Sequence, residues 1–150
     1  MTTSQDLPEL LSGTALTVFR LNGQLLGVAE ELARPAGLTA AWWQVLGAVL
    51  REPLPVSGIA RAMGITRQSV QRIADLLVEK GLAAYHPNPA HRRAKLLAPT
   101  EAGRDAVRRI VPGHAELARR LADELTPDGF AAALAALRQL SAALDTIHPD

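Results

Sequence analysis

Five polar side chains lie close together on one short segment that has the apolar spacing of a helix. They are Arg67, Gln68, Ser69, Gln71 and Arg72. Arginine and glutamine present forked donors and acceptors that match base edges in a DNA major groove, where one arginine-guanine pair contributes about 1 to 3 kcal/mol of discrimination. The simpler alternative is a solvated helix face with no partner.

A helix-turn-helix pattern places these side chains. Ala60 is small where two helices must cross closely, and Gly64 falls where the chain leaves the first helix and needs a positive φ. Ile65, Val70 and Ile73 are the apolar points expected to fix the second helix against the first. We expect helices over residues 56–63 and 67–80, with Thr66 as N-cap and Gly81 as stop. Ser57 is expected to cap the first of them or to hold a phosphate at its N-terminus.

A short basic hairpin follows the motif. Residues 82–86 and 93–98 have extended character, and the proline and asparagine residues between them favour a turn. Arg92 and Arg93 lie near the tip. An arginine at this position can enter a narrow minor groove, and the alternation of the strand does not decide which of the two does so.

The charge pattern favours nucleic acid. The net charge is +1, but residues 51–98 hold eight Lys/Arg against three acids, and the flanks carry a charge of −4. A basic centre between acidic flanks is the pattern expected of a nucleic-acid interface, although an uneven surface could arise by chance. Hydrophobic residues make up 48% of the chain and aromatic residues 3%. We therefore expect a mainly α protein with a small β-hairpin wing.

Other sites and locations have little support. There is no cysteine, which excludes disulfides and thiolate metal sites, and the four histidines lack helical ligand spacing, so we expect no metal and no cofactor. The N-terminus has no basic segment, and no apolar run is expected to reach the roughly 18 residues that span a bilayer. The prediction is a cytoplasmic protein with no membrane partner.

Long helices with apolar stripes are predicted at both ends. The segments are residues 7–33 and 101–148, the second interrupted at Thr126 and kinked at Pro112-Gly113. A third predicted helix, residues 40–50, is nearly all apolar, is capped by Thr39 and follows Arg34-Pro35. A single small domain has little core to cover both stripes, so a homodimer with intertwined terminal helices is expected.

Taken together, these pieces resemble the MarR (multiple antibiotic resistance regulator) family of winged helix-turn-helix transcription regulators. The resemblance is carried by the following segments, whose order and spacing are more specific than any one of them: Leu38-Thr39-(x3)-Trp43-(x)-Val45-Leu46, Val56-Ser57-(x2)-Ala60-(x3)-Gly64-(x2)-Arg67-Gln68-Ser69-Val70, Leu76-(x3)-Lys80-Gly81-Leu82, Asn88-Pro89-Ala90-His91-Arg92-Arg93-Ala94 and Pro99-Thr100-Glu101-Ala102-Gly103.

The resemblance implies one MarR-type domain over residues 1–150, with a winged helix-turn-helix region at 38–99 and dimerisation helices at 7–33 and 101–148. It implies a homodimer on a pseudo-palindromic operator in double-stranded DNA, with a recognition helix in each major groove and a wing arginine in each minor groove. The chain departs from the family at His91, where an aspartate is usual, and at Trp42, where a glutamine is usual. His91 could make the wing contact depend on pH.

The resemblance also implies a small aromatic or phenolic effector, bound between the dimerisation helices and the DNA-binding region. The residues that we would test for this pocket are Arg20, Trp42, Trp43 and His114. Each has a simpler role, since a tryptophan in a buried helix belongs to the core more often than to a ligand site.

The favoured function is a sequence-specific DNA-binding transcription regulator, expected to be a repressor. A winged helix used for protein-protein contacts is the alternative, and it would show exposed apolar anchors more than arginine and glutamine. A small helical enzyme has the least support, because no nucleophile-base pair, paired carboxylates or phosphate loop is present.

Overall fold

Six α-helices and three short strands make up most of residues 6–149, the part of the chain that the computed structural model describes. In chain order they are α1 Leu7–Ala33, α2 Ala40–Ala48, β1 Leu54–Pro55, α3 Val56–Met63, α4 Arg67–Glu79, β2 Ala83–His86, β3 Leu96–Pro99, α5 Glu101–Leu125 and α6 Pro127–Ile147. The predicted fold class, mainly α with a small β wing, is confirmed. The chain divides into two compact units, Met1–Ile110 and Val111–Asp150.

The core of the first unit lies where α2, α3 and α4 pack together. Leu46, Ile59, Val70 and Leu77 are fully buried there, which removes their apolar surface from water and holds α4 in place. Gly64 ends α3 with φ 67°, as the sequence predicted. The prediction for Ile65 was wrong.

Ile65 was expected to pack in the seam between α3 and α4, but it is 38% exposed. It lies in the turn before α4 begins, where its backbone N–H donates to the Ala60 carbonyl at 3.2 Å. Because Ile65 precedes the first turn of α4, its side chain does not follow the buried stripe of that helix.

Threonine side chains cap three helices of this unit. The hydroxyl oxygens of Thr39, Thr66 and Thr100 each accept a backbone N–H three residues later, at 3.1 to 3.2 Å. Each such cap contributes about 1 kcal/mol to helix stability. The proposed cap of α3 was wrong: Pro55 is the N-cap residue and gives no side-chain hydrogen bond, so Ser57 is already the second residue of the helix.

The three strands form an antiparallel sheet in the order β1-β3-β2. Leu97 in β3 is paired on both sides, with Leu54 in β1 and with Tyr85 in β2. The predicted hairpin is therefore confirmed, but the second strand begins at Leu96 and not at residue 93. The reason is that the Ala94 N–H turns back to donate to the His91 carbonyl at 3.2 Å.

The start of α5 is fastened to the turn between α4 and β2. The Thr100 hydroxyl donates to the Gly81 carbonyl in this turn at 2.6 Å. A second link joins α5 to the segment after α2, where the Arg104 guanidinium donates to the Leu50 carbonyl at 3.4 Å. Gly81 has φ 75°, a left-handed conformation that suits its predicted role as the stop of α4. The helix α5 continues through Pro112, and the expected bend at that residue stays a prediction.

The last helix corrects the statement about membrane-spanning length. Helix α6 has 21 residues, and its most apolar stretch has a mean hydropathy of 1.2 with none of its residues buried. By length and composition alone this helix could cross a membrane. This is weak evidence, because a helix that is covered by another protein surface has the same composition. Its exposed apolar residues include Leu134, Leu137, Leu144 and Ile147.

Candidate nucleic-acid interface

A groove runs between helix α4 and the β-hairpin wing. Its volume is about 820 Å³. The lining residues come from the start of α3, the first turns of α4 and the hairpin: Pro55, Val56, Ser57, Arg67, Gln68, Gln71, Tyr85, Asn88, His91, Arg93, Ala94 and Lys95. Arg67, Arg93 and Lys95 bring positive charge to it, and none of these lining residues is acidic, so the groove suits a negatively charged ligand.

The N-terminal turn of α4 is held in shape by its cap. The Thr66 hydroxyl oxygen accepts the Ser69 backbone N–H at 3.1 Å, and the Thr66 hydroxyl donates to the Ser69 hydroxyl oxygen at 3.0 Å. Arg67 and Gln68 follow the cap directly, and both are exposed and line the groove. Arg72 is exposed on the same helix but lies outside the groove lining.

Gln71 takes part in a hydrogen-bonded cluster with Asp75 and Tyr85, which we call the wing-root cluster. The Gln71 side-chain nitrogen donates to the Asp75 carboxylate at 3.0 Å and to the Tyr85 hydroxyl oxygen at 2.9 Å. The Tyr85 hydroxyl donates to the same Asp75 oxygen at 2.5 Å. The cluster joins the middle of α4 to β2 at the root of the wing.

Tyr85 keeps its proton in this environment. Burial, followed by the hydrogen bond and the negative charge of Asp75, raises the pKa of Tyr85 from 10.0 to about 12. The Lys95 ammonium lies 6.0 Å from the centre of the tyrosine ring, a distance at which a cation is attracted to the ring face. The ring therefore lies next to one of the cations that line the groove.

Two successive turns shape the tip of the wing. The Asn88 side-chain oxygen accepts the Ala90 N–H at 3.0 Å, and the Asn88 carbonyl accepts the His91 N–H at 3.2 Å. The turn that follows carries Arg92 and Arg93. Both are exposed, but Arg93 lines the groove and Arg92 does not.

The structure thus brings most of the predicted DNA-contacting side chains to one surface. Ser57, although not a cap, lines the groove together with Arg67, Gln68, Gln71 and Arg93. Sequence reasoning missed Tyr85 and Lys95. Tyr85 is the one tyrosine of the chain, and a polar aromatic residue on a wing strand, opposite a helix that carries Gln71 and Asp75, is the signal that could have identified it.

The residues suggested for an effector pocket have different surroundings. Trp42 and Trp43 are partly buried and pack against the core of the first unit. Arg20 is exposed on α1, and His114 is exposed in the second compact unit. Glu30 of α1 accepts the backbone N–H of Ala40 at 3.0 Å, which ties α1 to the start of the tryptophan-bearing helix α2.

Comparison with known proteins agrees with this geometry. The MarR family model matches residues 36–94, a range that includes α2, the helix-turn-helix and the wing tip. A protein of Mycobacterium tuberculosis of uncharacterized function is 40% identical over 132 residues, which are 88% of this chain and 92% of that protein. A candidate transcriptional regulatory protein for the hcr operon of Thauera aromatica is 30% identical over 114 residues, 71% of this chain and 69% of that protein.

A solved structure extends the likeness over nearly the whole chain. CouR of Rhodococcus jostii RHA1, solved with p-coumaroyl-CoA bound, is 28% identical, with a TM-score of 0.64 over 91% of this chain and 93% of CouR. The chain belongs to the MarR family of winged-helix transcription regulators, and it is accordingly a DNA-binding regulator.

Proposed function

We propose that this protein is a homodimeric repressor that binds a pseudo-palindromic operator. The observation that carries the proposal is the groove between α4 and the wing, in which Arg67, Arg93 and Lys95 face a space with no acidic lining residue. Cations there displace counterions from DNA phosphates, and polar side chains at the start of α4 can reach base edges. Ser57, Arg67, Gln68, Ser69 and Arg72 are the proposed contacts on the helices.

The position of the groove suggests different roles for the two wing arginines. In a duplex that receives α4 in the major groove and the wing in the next minor groove, the sugar-phosphate ridge between them must lie in the groove of the protein. Arg93 lines that groove, so we assign it to the phosphate ridge. Arg92 lies outside the lining, so we assign it to the minor groove.

The exposed stripes on α1 and α6 support the homodimer. Leu16 and Phe19 on α1 are 68% and 70% exposed, and Leu144 and Ile147 on α6 are 52% and 78% exposed. A soluble monomer rarely leaves so many large apolar side chains in water. A twofold dimer that covers these stripes would carry two copies of α4, the number that the two half-sites of a palindromic operator require.

The proposed effector is a small aromatic compound that releases the DNA. CouR provides support because its structure contains p-coumaroyl-CoA. In this chain Trp42 and Trp43 lie on α2, which contacts α4 directly. A ligand that displaced either indole would therefore disturb the packing of the recognition helix. Arg20 is the proposed polar partner for the effector.

The two tryptophans are the only ones in the chain, so intrinsic fluorescence reports directly on this region. Titration with simple phenolic acids should quench or shift the emission and release DNA over the same concentration range. Release of DNA without any change in emission would place the effector elsewhere.

Selection of DNA fragments from sheared genomic DNA tests the proposed function. The wild-type protein should enrich one motif with two half-sites about one helical turn, roughly 10 bp, apart. The double variant Arg67→Ala/Arg72→Ala should lose that enrichment. Gln44→Ala is a matched control, because Gln44 is exposed on α2 outside the groove lining. Enrichment that survives the double arginine variant would refute the assigned recognition face.

A reporter gene placed behind the enriched site tests the sign of regulation. Repression predicts higher expression when the regulator is deleted and normal expression when it is restored. Lower expression after deletion would identify an activator.

A further inference from the structure

The wing-root cluster leaves Gln71 poorly placed to read DNA. A glutamine recognises adenine through two simultaneous hydrogen bonds, one from its side-chain nitrogen and one to its oxygen. Here the nitrogen already donates to Asp75 at 3.0 Å and to the Tyr85 hydroxyl at 2.9 Å. The nitrogen must face this way, because a carboxylate can only accept. Both hydrogens of this nitrogen are therefore engaged, and reading adenine would require at least one of the two bonds to break.

Hydrogen-bond directions within the cluster are mutually consistent. Gln71 donates to the hydroxyl oxygen of Tyr85, and the Tyr85 hydroxyl in turn donates to Asp75 at 2.5 Å. Asp75 accepts from both neighbours. A tyrosine can both accept and donate in this way, whereas a phenylalanine at the same position would leave the glutamine and the carboxylate linked only to each other.

The cluster links the wing to α4 at a point beyond the backbone contacts that anchor the base of the hairpin. The chain passes from α4 to β2 through Gly81, and Thr100 anchors the far end of β3 to the same turn. These contacts lie at the base of the hairpin. Tyr85 is two residues farther along β2 than its first residue Ala83, opposite the middle of α4.

We propose that Tyr85 is a positioning residue that, through Asp75 and Gln71, fixes the wing relative to the recognition helix and thereby sets the spacing between the major-groove and minor-groove contacts. Gln71 serves this link and does not read a base. The inference rests on the proposed function, because the spacing matters only if both elements bind one duplex.

Two further observations support this role. The Asp75 hydrogen bond and charge add to the burial that raises the pKa of Tyr85 to about 12, which agrees with the hydroxyl donating its proton to that carboxylate. The Lys95 ammonium lies 6.0 Å from the centre of the tyrosine ring, so the position of Tyr85 affects the surroundings of one of the cations that line the groove.

The test compares Tyr85→Phe, Gln71→Ala and the double variant on two duplexes. The first is the full selected operator, and the second ends before the flanking minor-groove tracts. Tyr85→Phe removes both hydrogen bonds of the hydroxyl and should weaken binding to the full operator about fivefold, because a wing that is no longer held must be ordered when it binds. It should leave binding to the shortened duplex within about twofold. The double variant should be no weaker than the weaker single variant, since both changes remove one link.

Base preference separates positioning from reading. In a selection from randomised duplexes, Gln71→Ala should keep the wild-type preference at every major-groove base pair, whereas Arg67→Ala should relax it at one. Thermal unfolding of each variant checks folding, and Gln44→Ala serves as the glutamine control. A purely structural loss would lower the melting temperature and weaken both duplexes equally, which would overturn the positioning role.

Other outcomes overturn the inference in recognisable ways. If Gln71→Ala relaxes the preference at one base pair while Tyr85→Phe leaves binding unchanged, Gln71 reads DNA and the proposed role is wrong. If the wild-type protein selects no sequence at all, the proposed function fails, and the role of Tyr85 fails with it. The wild-type protein tells the two failures apart, because it still selects a sequence in the first case and selects none in the second.

Discussion

The backbone carbonyl oxygen of Leu82 lies 2.0 Å from the point where a Cβ atom on Gly103 would be. The same carbonyl accepts the Thr100 N–H at 3.1 Å, so the first turn of α5 rests directly on the chain between α4 and β2. Gly103 is buried, and only a residue without a side chain permits this approach. The contact fixes the base of the wing to the helix that leads out of the DNA-binding region.

Replacing Gly103 by alanine should destabilise the first unit. The added methyl group would collide with backbone, which cannot move aside as a side chain can, and the Thr100 hydrogen bond would be strained. We expect a decrease of about 2 kcal/mol in the free energy of unfolding, measured by urea denaturation. Gly47→Ala is the control, because nothing lies within 4 Å of its added Cβ. Equal stability of the two variants would contradict this close approach.

The two wing arginines should differ in how their replacement affects binding. Arg93→Ala should weaken all duplexes alike and reduce the slope of log K against log salt by about 0.9 for each phosphate that the side chain neutralises. Arg92→Ala should chiefly reduce the preference for A·T-rich flanks. Salt titrations on operators with A·T-rich and G·C-rich flanks separate the effects. The reverse pattern would exchange the two assignments.

Alkaline pH should reveal the wing-root cluster. The pKa of Tyr85 is raised above its ordinary value of 10.0 to about 12, so the folded state binds the proton more tightly than the unfolded state does. The resulting stabilisation is complete below pH 10 and is lost as the pH rises to about 12. Urea denaturation across this range should show a steeper loss for the wild type than for Tyr85→Phe.

The single tyrosine makes the same experiment direct, because tyrosinate absorbance reports Tyr85 alone. The absorbance should stay low at pH 10 while the protein remains folded. Lysine titration is common to both proteins and cancels in the comparison. A tyrosinate signal that is already half complete at pH 10 would mean that the hydroxyl is not held by Asp75.

Charge placed in the exposed stripe of α6 should separate the proposed dimer. Leu137 is 42% exposed in the single chain, and Leu137→Glu would bury an unpaired carboxylate if a second copy covered it. Sedimentation equilibrium should show a shift from dimer to monomer and a parallel loss of operator binding. Gln139→Glu, also exposed on α6, should remain dimeric. A monomeric wild type would contradict the proposed assembly.

Local structure was largely predictable, because its signals lie within a few residues of each other. Thr39, Thr66 and Thr100 marked three helix starts, and Gly64 and Gly81 marked two helix ends. The wrong predictions for Ser57 and Ile65 also concern helix boundaries. Ser57 and Ile65 lie one or two positions from a helix boundary, where the sequence pattern did not determine on which side of the boundary each residue falls.

Sequence alone thus determined the helices, the hairpin and the clustering of basic charge, since capping, turn geometry and apolar periodicity act between near neighbours in the chain. Only the tertiary structure decided which side chains Gln71 contacts. Its partner Tyr85 is 14 residues away on another element. Whether a polar side chain on α4 faces DNA or the wing depends on how closely β2 approaches the helix, and that distance is set by packing of the buried core and by the contact between Leu82 and Gly103.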